Sequence, residues 1–268
     1  MEDILKELGI TANFSQVLLI WALLMGRVLP LILLAPFIGG EVVPSQVKLG
    51  VGIAFTILLY PFVADTAIPQ GSVAFVLLLL KEVFIGTTIA YLASFAFDAA
   101  RSAGTFVDTV SGANMATVFV PQIQQQATLY ADFKFQLTIV IFLGLNGHHV
   151  VLQSLFLSFQ SIPLNGWPHF SHGFWPLFQM VIRMTADMLI VAVALAAPAT
   201  IATFLTDLSL GLINRVVPQI QVFFISMSVK PLIVAVVTLT ALTVLYERFL
   251  SIFHAMLKHV QDAVFLFS

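Results

Sequence analysis

The sequence predicts an all-α, polytopic integral membrane protein with about six hydrophobic helical segments, several of them kinked or broken. Hydrophobic residues make up 60% of the chain and charged residues only 9%, whereas roughly 25% of the residues of a soluble domain are charged. Apolar blocks near the roughly 20 residues that cross hydrocarbon leave no room for a separate soluble domain. The chain has no cysteine, which excludes disulfides and cysteine-ligated metals, and its net charge of -2 gives no basic surface for nucleic acid.

Three apolar blocks precede the centre of the chain. The first covers about Phe14 to Gly39 and contains Arg27 and Pro30, so we expect a kinked or broken helix there. Turns rich in proline and glycine separate it from the second block, Lys48 to Ala64, and the second from the third, Ser72 to Phe97.

Two adjacent charges, Lys81 and Glu82, lie near the middle of the third block. A charge that faces lipid at that depth costs roughly 2.5–3.5 kcal/mol, so both side chains should face protein or water. Because adjacent residues of a helix point in different directions, we expect each to meet a different neighbour, with a subunit contact as the first interpretation.

The central stretch from Asp98 to Lys134 is rich in Ser, Thr, Gly and Gln but poor in charge, and apolar blocks flank it. The stretch is too polar to face lipid, and it has too few charged residues for a solvated loop. A backbone that is not regular helix is tolerated at membrane depth only where it is buried in protein or lines an aqueous cavity. We therefore predict a non-regular central loop and expect function there.

Three further blocks complete the chain. Phe135 to about Phe159 is the fourth, and Phe174 to Thr206 is a long fifth block that contains Arg183 and Asp187. A polar turn then precedes the sixth block, Val222 to Tyr246, and the remaining tail is predicted to be amphipathic. Because Arg183 and Asp187 stand four positions apart, their spacing fits an internal ion pair, or half of a proton relay.

The neighbouring His148 and His149 suggest a metal site, but the pattern favours a polar helix end. Adjacent helical positions diverge and rarely share a ligand, and no carboxylate lies within one turn. An intramembrane hydrolase that uses either histidine lacks a nucleophile partner. We therefore predict no enzyme activity, no metal and no cofactor.

Five segments, taken in order, carry a resemblance to the FliR/SctT family of type III secretion export-apparatus membrane proteins. They are residues 26–44, 81–92, 104–122, 146–164 and 207–231, of which the third reads GTFVDTVSGANMATVFVPQ. Each segment alone is weakly specific, but their order and spacing together are specific. The run FFISMS at 223–228 is more similar to the virulence injectisome branch than to the flagellar one.

The resemblance implies a single-copy core subunit of a protein-conducting pore in the bacterial inner membrane. Its partners would be membrane subunits of the FliP/SctR and FliQ/SctS types, export proteins of the FlhB/SctU and FlhA/SctV types, membrane lipid and the unfolded proteins that are exported. The family fold is similar to one copy of each smaller partner fused in sequence. Residues 1–172 would then correspond to the FliP/SctR type, and residues 173–268, a helical hairpin, to the FliQ/SctS type.

The resemblance also assigns roles to residues. The central stretch matches the family's plug, a loop that closes the pore at rest, here residues 104–126. The plug residues would be Gly104, Asp108, Gly112, Met115, Phe119, Pro121, Gln122, Gln124 and Gln125. The intramembrane charges that could make subunit contacts are Arg27, Lys81, Glu82, Arg183, Asp187, Asp207, Arg215 and Lys230.

A small secondary transporter is the alternative from another functional class. Lys81, Glu82, Arg183 and Asp187 would then form a proton or substrate site beside helices broken by proline. Internal inverted repeats would favour this alternative, and none is visible in the sequence.

Overall fold

The computed structural model describes residues 14–38, 40, 43–69, 71–115, 128–168, 175–219 and 221–267. These residues form eight α-helices, a short 3-10 helix (Ala113–Met115) and no strand. In chain order the α-helices are α1 (Phe14–Leu34), α2 (Ser45–Val63), α3 (Ser72–Ser111), α4 (Leu129–Gly144), α5 (Gly147–Ser161), α6 (Trp175–Val216), α7 (Val222–Thr240) and α8 (Leu242–Phe267).

Within the described residues, five helices are long and apolar enough to cross a membrane, namely α1, α2, α3, α6 and α7. Helices α4 and α5 pass the same test only as a pair, and a bend of 71° separates them. The resulting number of spans, five or six, agrees with the expectation from the apolar blocks. The prediction of an all-α polytopic membrane protein is confirmed.

Two helices are much longer than a membrane is thick. Helix α3 has 40 residues and α6 has 42. At 1.5 Å per residue they measure about 60 and 63 Å, whereas the hydrocarbon core of a bilayer is roughly 30 Å thick. A tilt near the usual 20° shortens neither helix enough to fit. Both helices therefore extend well beyond the hydrocarbon, whichever part of them crosses it.

The predicted non-regular stretch is shorter than expected, because α3 continues to Ser111 rather than ending near Phe97. Its polar side chains do not break the helix, since Thr105 and Thr109 donate hydrogen bonds from their hydroxyls to the carbonyls one turn earlier, at 3.0 and 2.9 Å.

The polar turn predicted after Thr206 begins later than expected. Helix α6 continues to Val216, and Ser209 bonds to its own helix in the same way.

The chain breaks at a place where no break was predicted. The fourth apolar block is two helices, because Asn146 has a φ of 56° between α4 and α5, a left-handed conformation that asparagine tolerates better than most residues. Conversely, Pro30, where a kinked or broken helix is expected, lies inside the continuous helix α1. Pro198 likewise lies inside the continuous helix α6.

The chain forms two compact units, and each unit takes residues from both sides of position 172. The first comprises Met1–Ser94, His148–Gln179 and Leu257–Ser268, and the second comprises Phe95–Gly147 and Met180–Met256. In the first unit, Leu23, Leu24 and Val28 of α1 and Ile85 and Ile89 of α3 are fully buried. Helices α1 and α3 pack closely there, because Gly86 has no side chain: a Cβ at that position would lie 2.9 Å from the carbonyl carbon of Arg27.

An aromatic cluster forms part of the core of the second unit. The ring of Phe142 lies 5.1 Å from that of Phe97 and 5.2 Å from that of Phe253, measured between centroids, and Phe249 stacks on Phe253. Edge-to-face and tilted ring pairs of this kind add to the stabilisation from apolar burial. Phe249 and Phe253 belong to the buried face of α8, whereas Glu247 on the same helix is exposed. The tail is therefore amphipathic, as predicted.

Candidate functional site

The carboxylate of Asp108 joins the two helical parts of the central stretch, the end of α3 and the start of α4. Asp108 lies on the last turns of α3 and is only 2% exposed. Its two oxygens accept hydrogen bonds from the backbone N–H groups of Tyr130 and Ala131, each at 3.0 Å. These amides belong to the first turn of α4, whose N–H groups have no partner within their own helix. Asp108 therefore acts as an N-terminal cap supplied by another helix.

Gly104, one turn before Asp108, allows the two helices to come this close. A Cβ at position 104 would lie 2.5 Å from the carbonyl oxygen of Tyr130 and 2.6 Å from the backbone nitrogen of Ala131. Any side chain would therefore collide with the backbone of α4. Gly104, predicted as a plug residue, therefore lies within α3 and allows close packing against α4.

Two other side chains join the first turns of α4 to the C-terminal half of the chain. The hydroxyl of Tyr130 donates to the carbonyl of Pro231 in α7 at 2.5 Å. The amine of Lys134, only 2% exposed, donates to the carbonyl of Leu195 in α6 at 3.0 Å. With the Asp108 cap, the start of α4 is bonded to three helices of the second unit, α3, α6 and α7.

Two of the predicted plug residues, Gly104 and Asp108, form part of this contact between α3 and α4. Gly112 ends α3 with a φ of +76°, which is the usual conformation of a glycine that follows a helix. Met115 lies in the 3-10 helix and is 40% exposed. Five other predicted plug residues lie outside the described residues, namely Phe119, Pro121, Gln122, Gln124 and Gln125.

A buried charge cluster, Arg27, Lys81 and Glu82, lies in the first unit. Arg27 and Glu82 are inaccessible to solvent and form an ion pair through Arg27 Nε and Glu82 Oε2. The amine of Lys81 lies 2.7 Å from Glu82 Oε1. Glu82 and Lys81 do meet different neighbours, as expected, since Glu82 binds Arg27 and Lys81 binds backbone carbonyls, but the two side chains also contact each other. The flexible stem of Lys81 brings its amine back to the adjacent carboxylate, and the whole cluster is buried within the chain.

The two cations of this cluster also bind the chain that leaves α5. Arg27 donates to the carbonyls of Ser158 and Ile162 at 2.7 and 3.1 Å, and its guanidinium lies 4.2 Å from the ring centroid of Phe159. Lys81 donates to three further carbonyls, those of Pro163, Leu164 and Gly166, at 2.9 to 3.1 Å. The donors of both cations are thus engaged within the chain.

The other predicted charges differ in their surroundings. Arg183 and Asp187 are both exposed on α6, and no ion pair joins them in the part of the chain that the structure describes. The two residues share a face of α6, as their spacing predicts, but the chain leaves that face exposed. The predicted internal pair is therefore wrong. Asp207 of α6 and Lys230 of α7 do form an ion pair, and Arg215 is exposed in the last turn of α6.

Sequence reasoning did not assign a role to Tyr130 or Lys134, although both are nearly fully buried. A signal for Lys134 was present, because a single lysine follows Phe133 and precedes an apolar block that starts at Phe135. A cation there must find a partner or reach an interface. For Tyr130, no local pattern indicates a bond to a residue 101 positions away.

The rings of His148 and His149 lie 4.2 Å apart at the start of α5.

Comparison with known proteins gives consistent matches along most of the chain. Residues 18–256 match the family model described as "Bacterial export proteins, family 1". The flagellar biosynthetic protein FliR of Pectobacterium carotovorum is 32% identical over 223 residues, which cover 83% of this chain and 84% of that protein. The secretion system apparatus protein SsaT of Salmonella typhimurium is 31% identical over 78% of this chain and 81% of its own length. The Yop proteins translocation protein T of Yersinia pestis is 32% identical over 80% of this chain and 82% of its own.

Proposed function

Because the chain belongs to the bacterial export proteins, family 1, we propose that it is a single-copy, non-enzymatic core subunit of the type III secretion export gate. In this role it forms part of a pore in the bacterial inner membrane, through which unfolded proteins are exported, and supplies a segment that plugs the pore at rest. The similar relatives include a flagellar biosynthetic protein and two proteins of secretion or translocation systems, which supports an export role.

The observation that carries this proposal is the uncovered apolar surface of the C-terminal helices. In the most apolar stretch of α6 only 28% of the residues are buried, and in that of α7 only 11%. Large side chains are exposed near both ends of α6, including Phe178 at 46% and Leu212 at 58%. Lipid cannot cover both ends of a helix about twice as long as the hydrocarbon core is thick. Protein partners must therefore cover part of this surface.

The partners that we propose are membrane subunits of the FliP/SctR and FliQ/SctS types, with export proteins of the FlhB/SctU and FlhA/SctV types. Residues 1–172 and 173–268 would correspond in fold to the first two types, as the resemblance implies. Arg183, Asp187 and Arg215 are exposed charges on α6 that suit contacts with these partners. The Asp207–Lys230 pair is partly exposed and can contribute to the same surface.

The charged residues support neither catalysis nor transport of a small solute. Lys81 and Glu82 are bonded to Arg27 and to backbone carbonyls, so their groups are not available to a mobile substrate. Arg183 and Asp187 do not form the paired site that a transporter would need. The export-gate function therefore explains the exposed helices and the charges together.

We expect the chain to be unstable when it is expressed without partners, because its apolar helix faces then have no protein cover. Co-expression of a tagged chain with the two small membrane proteins should rescue it, and both should co-purify in excess copies over the tagged chain. The measurement is the yield of monodisperse complex and the ratio of its subunits. A monodisperse, thermally stable monomer in detergent would contradict the proposal and favour the transporter.

The plug proposal rests on the position of the central stretch between the C-terminal end of α3 and the N-terminal end of α4. Residues 112–128, between these helices, contain no charged side chain and are rich in Gln. Such a segment can fill a pore through many weak contacts that yield when a substrate arrives. An ordinary exposed loop is the contrasting interpretation.

Deleting residues Gly112 to Gln122 tests the plug. We expect the assembled deletion complex to leak small ions and metabolites across the membrane, because the segment that fills the pore is shortened. The measurement is ion flux in cells that express the complex, normalised to the amount of complex purified from them. An assembled deletion complex that keeps the membrane tight would leave this segment as a connector only.

A further inference from the structure

We infer that Arg183 and Asp187 of α6 bind one helix of a partner subunit, and that this helix carries an acidic and a basic side chain one turn apart. The inference rests on the proposed function and gives the chemistry of one of its subunit contacts. Both residues belong to the second compact unit, and both are exposed.

The two side chains do not neutralise each other, although they stand four positions apart on one helix. An acid that precedes a base by four residues pairs better along a helix than a base that precedes an acid. The order here is the less favourable one, since Arg183 comes first. Within the described residues, neither charged group has an ion pair or a hydrogen bond. Both groups are therefore available to another molecule.

Helix α7 is too short to cover these charges. A short connection and the Asp207–Lys230 ion pair make α6 and α7 an antiparallel pair and set their register. Counted from that ion pair, the C-terminal end of α7 lies level with about residue 197 of α6. Asp187 and Arg183 lie about 15 and 21 Å further along α6. The charges that α7 can reach are thus paired within the chain, whereas these two are left to a neighbour.

The surface around the two charges is apolar. Ile182 is 51% exposed and Ile190 is 65% exposed. Ala186 and Ala194 share the exposed face, and small residues let the backbones of two helices approach closely. A protein that covers these apolar side chains also removes the two charges from water, which is costly unless each charge is paired. The cover must therefore supply one counter-charge for each group.

The two charges define the partner that fits them. A carboxylate opposite Arg183 and a cation opposite Asp187 would form two ion pairs, and complementary charges of this kind fix the register of a contact. A helix presents both groups on one face when they are three or four positions apart. Their order gives the direction of the partner helix. An acid that precedes the base indicates a parallel partner, and a base that precedes the acid indicates an antiparallel one.

The experiment first identifies the partner helix by photo-crosslinking in the complete complex. Benzoylphenylalanine replaces Ile190, which lies on the charged face next to Asp187, and in a control it replaces Tyr246, which is exposed on α8. We expect mass spectrometry to find, at position 190 alone, a subunit peptide with an acid and a base three or four positions apart. Crosslinks from position 190 to lipid, or to a peptide without these charges, would overturn the inference.

Charge reversal then tests the pairing. Arg183→Glu and Asp187→Arg should each lower the yield of assembled complex at least about tenfold, because like charges that meet in a contact are strongly disfavoured. Arg248→Glu makes the same change of charge as Arg183→Glu at an exposed position of α8, and it should leave the yield unchanged. Reversing the opposing charge of the crosslinked partner helix should restore the yield of each α6 variant. A variant that merely misfolds would not be rescued in this way.

Two results would contradict the pairing, namely wild-type yield in both α6 variants, or a reduced yield that no reversal on the partner restores. Water or lipid headgroups would then be the surroundings of the two charges. The proposed function would still stand in that case, provided that the wild-type chain co-purifies with its two small membrane partners. A wild-type chain that does not assemble with them would overturn both.

Discussion

Replacing Arg27 by alanine should destabilise the protein by about 3–5 kcal/mol, the range for removal of one partner from a buried ion pair. The side chain is fully buried and holds Glu82, Ser158 and Ile162 together. Its loss would leave a cavity and two carbonyls without their donors. Such a cost is comparable to a large part of the net stability of a folded domain, roughly 5–15 kcal/mol. We therefore expect little folded protein.

The measurement is the midpoint of thermal unfolding of the purified, partner-bound complex, together with its yield. Arg27→Lys should fall between wild type and Arg27→Ala, because lysine keeps the charge but lacks the planar fork that serves several acceptors at once. Arg248→Ala, which removes an exposed arginine of α8, is the matched control. An Arg27→Ala complex that unfolds at the wild-type temperature would show that the cluster does not stabilise the fold.

Gly86→Ala and Gly104→Ala should each be strongly destabilising, although both add only one methyl group to a helix. The new Cβ atoms would meet the backbone of Arg27 and of Ala131, respectively, and a backbone cannot move aside as a side chain can. Overpacking of this kind costs about 1–3 kcal/mol and occasionally more, and we expect the upper end or beyond. Gly50→Ala in α2 is the opposite case, since its Cβ meets nothing within 4 Å.

Gly50→Ala should stabilise α2 by up to about 1 kcal/mol, because alanine has the higher helix propensity. Thermal unfolding of the three complexes under the same conditions measures the contrast. Equal unfolding temperatures for Gly86→Ala and Gly50→Ala would mean that α1 and α3 are not packed as closely as the structure shows. The same comparison with Gly104→Ala examines the contact between α3 and α4.

The positions of the helices could be predicted from the sequence because apolar blocks of membrane-spanning length are a strong signal. Their ends could not. The stretch after Phe97 contains polar residues that usually indicate a loop, yet Thr105 and Thr109 satisfy their hydroxyls within the helix. The break at Asn146 was missed for the opposite reason, since a single left-handed residue within an apolar block has almost no compositional signature.

The charged residues could be recognised as important from the sequence, but their partners could not. The three members of the buried cluster are separated by up to 55 positions, and the carbonyls that they bind lie still further along the chain. Spacing along one helix was misleading for Arg183 and Asp187, because it gives a shared face without saying what covers that face. The sequence indicates Asp108 as a plug residue by its position, but the two amides of α4 that its carboxylate caps lie more than 20 positions away and leave no local signal.

The direction in which α5 runs has an electrostatic consequence for the buried charge cluster. Aligned peptide dipoles give the C-terminal end of a helix a partial negative charge of about half an elementary unit. Arg27 and Lys81 bind carbonyls at and just beyond this end, from Ser158 to Gly166. Two cations thus share one full anion, Glu82, and one fractional anion, the terminus of α5. The cluster is closer to neutral than its side chains alone suggest, and a helix of reversed polarity at this place would turn attraction into repulsion.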